Sequence, residues 1–124
     1  MKILALDYGS ARTGVAVSDP TGTVARPVGI VEGVKKKPGF DRLLDLIRDE
    51  APDEIVIGLP LTLRGEHGDQ ARETALFVES LRDVLEVPVQ TYDERFTSVL
   101  ADGDDARAAA YLLSTYLEWR AAPR

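Results

Sequence analysis

The sequence has 124 residues and a formal charge of −6, with 15 Lys+Arg against 21 Asp+Glu. This length suits one domain spanning 1–124 with its own hydrophobic core. The absence of cysteine excludes disulfides, thiolate metal sites and thiol nucleophiles, and a single histidine, His67, argues against a zinc centre. No apolar run approaches the roughly 18 residues of a membrane span, and the N-terminus reads as a strand, not a signal peptide, so a cytoplasmic protein is expected.

Residues 2–7 (KILALD) form an apolar run without a polar face, the pattern of a buried central strand. Tyr8 to Thr13 reads as a connection and Gly14 to Ser18 as a second strand. Asp19-Pro20-Thr21-Gly22 is a turn signal. Thr23 to Val31 is a third strand, weakened by Pro27. Links this short require an antiparallel meander.

The pattern then changes period. Gly33 to Gly39 reads as a loop carrying Lys35, Lys36 and Lys37. Phe40, Leu43, Leu44 and Ile47 follow helical spacing, and Pro52 closes that helix. Glu54 to Leu59 is a fourth strand. Ala71, Thr74, Val78, Leu81 and Leu85 trace a second helix, with Phe77 beside the stripe. Val87 to Tyr92 is a fifth strand, and Ala109, Leu112, Leu113 and Tyr116 mark a third helix. The order βββαβαβα predicts an α/β fold: a meander followed by two right-handed crossovers. That is the ribonuclease H-like arrangement, a five-stranded mixed sheet in order 3-2-1-4-5 with three main helices.

In such a sheet ligands gather beyond the carboxyl ends of the parallel strands. Asp7 ends the first strand and Asp93-Glu94 the fifth. With one strand between them, their backbones would lie about 10 Å apart. Taken singly, each also reads as a turn or cap residue. Asp102, Asp104 and Asp105 precede the last helix, where carboxylates commonly cap. Asp105, however, leads directly into the apolar face at Ala108, Ala109 and Leu112. Three converging carboxylates would make an all-oxygen site suited to Mg²⁺ or Mn²⁺. Two such ions activate water and stabilise the leaving oxygen of a phosphodiester. They would also let an acidic protein bind a polyanion. Arg12 and Arg95 flank the acids as phosphate or support residues. Lys35, Lys36 and Lys37 read either as a nucleic-acid contact or as a solvated loop. The glycines around Gly58-Leu59-Pro60-Leu61, Gly65 and Gly68 either receive a phosphate or serve only the turn.

These segments resemble the YqgF (RuvX) family, described both as Holliday junction resolvases and as nucleases of pre-16S ribosomal RNA. The resemblance rests on Leu6-Asp7-Tyr8-Gly9 with Arg12, on Gly14-Val15-Ala16-Val17-Ser18-Asp19, and on Ile57-Gly58-Leu59-Pro60-Leu61 with Gly65 and Gly68. It rests further on Asp93-Glu94-Arg95-Phe96-Thr97 and on Asp105 with Ala108, Ala109, Leu113, Tyr116 and Leu117. It implies a divalent-metal nuclease with Asp7, Glu94 and Asp105 as catalytic and metal-binding triad and Asp93 as a fourth metal ligand. The implied partner is nucleic acid, either an rRNA precursor or branched DNA. A junction resolvase also needs paired sites, hence a homodimer. One departure stands out: only ten residues, Arg95 to Asp104, separate Glu94 from Asp105, so the family's longer basic segment is missing.

Two other classes compete. Asp7-Tyr8-Gly9-Ser10 is similar to the first loop of actin-like ATPases, but those need two such domains to enclose a nucleotide. A non-catalytic nucleic-acid-binding module would keep the fold and lose the third carboxylate.

Overall fold

The computed structural model describes residues 1–60, 68–93 and 105–123, with the Asp105 side chain outside that set. Its elements are β1 (Ile3–Asp7), β2 (Arg12–Ser18), β3 (Ala25–Glu32), α1 (Lys37–Glu50), β4 (Glu54–Leu59), α2 (Asp69–Val84), β5 (Val89–Asp93) and α3 (Asp105–Ala121). They form one sheet in the order β3-β2-β1-β4-β5. The meander β1-β2-β3 is antiparallel, while β4 and β5 run parallel to β1 and to each other. This is the expected ribonuclease H-like topology.

Strand alternation divides the core in two. Leu4 and Leu6 of β1, Val15 and Val17 of β2, and Ile55 and Ile57 of β4 pack against α1 and α2. Ile3, Ala5, Ala16 and Val56 face the other way, against Ala109, Leu112, Leu113 and Tyr116 of α3. Burial on both faces explains why β1 and β4 lack a polar side in the sequence.

Element ends differ from the sequence reading for local reasons. β2 starts at Arg12, shortening the first connection to Tyr8–Ala11. β3 starts at Ala25, because the Thr23 and Val24 amides donate to Asp19 Oδ1 instead of to a neighbouring strand. Pro27 is tolerated because β3 is an edge strand and the register with β2 shifts between Val15 and Ala16, leaving Val28 as the extra residue. α1 already includes Lys37, Pro38 and Gly39, since proline suits the first helical turn. It ends at Ala51 in the left-handed conformation (φ 47°), whose amide donates to the Ile47 carbonyl ahead of Pro52. β5 starts at Val89, after Pro88, and continues to Asp93. Leu85 caps α2 from just outside it.

α3 is fixed at its far end by a polar cluster. Glu54, buried at the start of β4, accepts from the Tyr116 hydroxyl and pairs with Arg120. A carboxylate buried here is tolerable because both oxygens are satisfied. Tyr92 and Trp119 extend the cluster, with ring centroids 5.4 Å (Tyr92–Tyr116) and 5.8 Å (Tyr116–Trp119) apart. Tyr116 and Trp119 thus pack against each other and Tyr92 at this end of α3.

Candidate active site

Asp7 shares the parity of Ile3 and Ala5, so its partly buried carboxyl stands on the α3 face of the sheet. Gly14 is its Cα partner on β2. On β4, Ile57 partners Leu6, which brings Gly58 beside Asp7 one step further on. Neither neighbouring strand therefore places a side chain next to Asp7 at that level. The sequence reading missed this relationship, although two glycines inside apolar strands, at matching parity, are a legible sign of it.

Gly9 fixes the loop that follows. A Cβ there would lie 2.3 Å from the Arg12 carbonyl oxygen, so only glycine fits. The Gly9 amide and carbonyl both bond the buried Thr13 hydroxyl. This tight turn starts β2 at Arg12, which has the parity of Gly14 and Ala16 and is exposed on the α3 side.

The Tyr116–Glu54 contact sets the direction of α3, antiparallel to β1 and β4. The stretch from Asp105 to Tyr116 rises about 16 Å at 1.5 Å per residue. β4 advances about the same distance from Glu54 to Leu59. With its Tyr116 end beside the start of β4, α3 begins toward the end of the sheet that carries Asp7.

Asp93 ends β5, two strands from β1, opposite Leu59. It shares the parity of Val89, which packs under α1 and α2, whereas Tyr92 packs with the α3 cluster. The exposed Asp93 therefore belongs to the opposite face from Asp7, at the same end of the sheet. Glu94, Arg95, Asp102, Asp104, His67, Leu61 and Gly65 lie outside the described residues. Among the described residues no three potential metal ligands are gathered. The donor chemistry still fits a hard divalent cation: carboxylates, no thiols, and the only histidine distant in sequence.

The lysine cluster lies on the other side. Lys35 bridges to Glu73 of α2 at 2.7 Å and Lys37 to Asp41 at 2.8 Å. Together with Lys36 they rim a cavity of about 690 Å³ between the starts of α1 and α2. Its floor includes Tyr8, the residue after Asp7. Burial first, and then the Glu73 carboxylate that accepts its hydroxyl proton, push the Tyr8 phenol up to about 12.

Solved structures share this architecture. The Fowlpox virus resolvase bound to Holliday junction DNA superimposes with a TM-score of 0.61, covering 98% of this chain and 100% of that one at 13% identity. Thermus thermophilus RuvC gives a TM-score of 0.56 over 97% and 96% of the two chains at 14% identity. These likenesses show a shared ribonuclease H-like fold.

The sequence comparison is narrower. A protein of Sulfurihydrogenibium sp. named "Putative pre-16S rRNA nuclease" is 42% identical, covering 94% of this chain and 90% of its own. One of the same name from Rubrobacter xylanophilus is also 42% identical, covering 94% and 92%. The family model described as "RuvX: Holliday junction resolvase" matches residues 1–119. The chain belongs to the RuvX family.

Proposed function

We propose that residues 1–124 form one nuclease domain that hydrolyses phosphodiester bonds in nucleic acid with a divalent cation, Mg²⁺ or Mn²⁺. Precursor ribosomal RNA is the first substrate class, in keeping with the names of the RuvX relatives. The observation that carries this reading is Asp7, a carboxylate at the carboxyl end of the central strand, bordered by Gly14 and Gly58 on the face that α3 covers.

Asp7, Glu94 and Asp105 would hold the cation. Glu94 directly follows Asp93, the last residue of β5. Asp93, on the other face of β5, would support the site from outside. The bound cation would lower the pKa of water and neutralise charge on the phosphate. Asp7 orients the attacking water toward phosphorus. The water gives up a proton to solvent as the new P–O bond forms, the ester P–O bond breaks, and the leaving oxygen takes a proton from solvent. Arg12, on the Asp7 face, and Arg95 would bind phosphate oxygens. The partly buried setting of Asp7 strengthens these charge interactions relative to water.

Junction cleavage is the second reading, supported by the family description and by a fold shared with two resolvases. The deciding experiment compares labelled single-stranded pre-16S RNA with a four-way DNA junction, in Mn²⁺, Mg²⁺ and EDTA. Metal-dependent RNA cutting with an intact junction supports the first reading. Paired symmetric nicks in the junction by a dimeric species support the second. No cutting of either leaves a binding module.

A further inference from the structure

The cavity between α1 and α2 has a character that core packing does not require. Tyr8 and Phe77 stack at its base with centroids 4.5 Å apart, and Phe40 meets Phe77 edge-on at 6.4 Å. Phe40 is only partly buried, and Leu76 on the α2 wall is 71% exposed. Among the described residues the lining holds four cations against two carboxylates, in a chain of net charge −6. Three of those cations, Lys35, Lys37 and Arg72, are held in ion pairs at exposed sites, which are weak and readily exchanged for phosphate. α1 has no acidic residue in its first turn, so the field there also favours an anion. The volume lies within the range of small-ligand sites, roughly 300–1,000 Å³.

Position ties this groove to the active end of the sheet. Tyr8 directly follows Asp7, so their Cα atoms are about 3.8 Å apart. A strand whose phosphate reaches Asp7 on one face passes the sheet end and meets the aromatic floor on the other.

We propose that this groove is a slot for one unpaired nucleotide of the substrate. Its base is held against Phe40 and the Tyr8–Phe77 pair, and its phosphate by Lys35, Lys36 and Lys37. The proposal rests on the nuclease reading and sharpens it: the substrate must be single-stranded, or opened, beside the cleaved bond. A peptide would also fit an apolar groove, but the combination of aromatic floor, basic rim and nearness to Asp7 favours a nucleotide.

The test is an abasic scan. The whole protein, in EDTA so that no cleavage occurs, is titrated with a single-stranded oligoribonucleotide and with copies lacking one base at each position. One position is expected where base removal weakens binding about tenfold, the scale of one base–aromatic stack. Phe40→Leu, which keeps apolar volume, should bind the intact strand about tenfold more weakly and become insensitive to base removal there. Lys36→Ala changes an exposed side chain and cannot undermine the core. It should weaken binding severalfold while leaving the abasic effect in place. A flat scan, or an abasic effect unchanged in Phe40→Leu, overturns the slot. So does equal binding of fully paired duplex, which would leave the groove as a protein-docking face. Because the readout is binding, failure of the slot is separate from failure of the nuclease reading, which appears as absence of metal-dependent cleavage.

Discussion

Asp7 and Tyr8 are consecutive in sequence and project to opposite faces of the sheet: the carboxyl toward α3, the phenol into the core beneath α1 and α2. One strand end thus serves two surfaces. The α3 face carries Asp7, and the other face carries the basic, aromatic groove.

The tight turn after that pair predicts the effect of Gly9→Ala. The new methyl would meet the Arg12 carbonyl at 2.3 Å, and backbone cannot yield as a side chain can. We expect a loss of about 1–3 kcal/mol, the usual cost of overpacking, measured by urea unfolding. Cleavage should fall further than stability accounts for, because Arg12 moves with the turn. An alanine variant as stable and active as the parent would contradict this close approach.

The Glu54–Tyr116–Arg120 cluster ties the last turns of α3 to the start of β4. Tyr116→Phe removes one donor from a buried carboxylate, a change that typically costs about 1–3 kcal/mol. Thermal unfolding should report the loss. Hydrogen exchange should quicken along α3 more than in α1. Uniform exchange behaviour would mean that the cluster does not hold the helix.

Alkaline pH acts on the same residues. Burial, then Glu54, pushes the Tyr116 phenol up to about 12, and burial, then Glu73, does the same for Tyr8. A folded-state value above the ordinary 10 means the stabilisation is complete below pH 10 and is lost as pH climbs toward 12. Absorbance titration near 295 nm should therefore show Tyr8 and Tyr116 ionising late, together with unfolding. Four phenols titrating together near pH 10 would contradict it.

At acid pH the turn between β2 and β3 is the sensitive one. Hydrogen bonds from the Thr21 hydroxyl and from the Val24 and Thr23 amides hold the Asp19 carboxyl well below the usual carboxylate range. Its contribution is present above the unfolded value near 3.9 and fades as pH falls through the lower folded one. Asp19→Asn should raise exchange at the Thr23 and Val24 amides at neutral pH and flatten the acid dependence of that turn. Unchanged protection of those amides would show that the carboxylate is dispensable.

The topology was legible because β1 and β4 are continuous apolar runs and the helices carry clear stripes, as at Leu43, Leu44 and Ile47. Element ends were less legible, because they depend on side-chain and turn chemistry: Asp19 claims two amides that β3 would otherwise use, and Pro38 admits the lysine cluster into α1. Asp7 was legible as the carboxylate ending a buried strand. Its placement between Gly14 and Gly58 depends on register across three strands, which no single segment encodes. The faces of Asp93 and of the lysine cluster likewise follow only once β5 and α1 are docked.

The central claim is a cation-dependent nuclease built around Asp7. Single-turnover cleavage of labelled single-stranded RNA, with Mn²⁺ or EDTA, in parent and Asp7→Asn, tests it most directly when strand binding is measured on the same samples. The account predicts cutting by the parent only with the cation, and loss of at least about a hundredfold in Asp7→Asn with binding retained, since a carboxamide cannot supply the negative charge the cation needs. Equal cleavage by the two proteins, or cleavage that persists in EDTA, would contradict it.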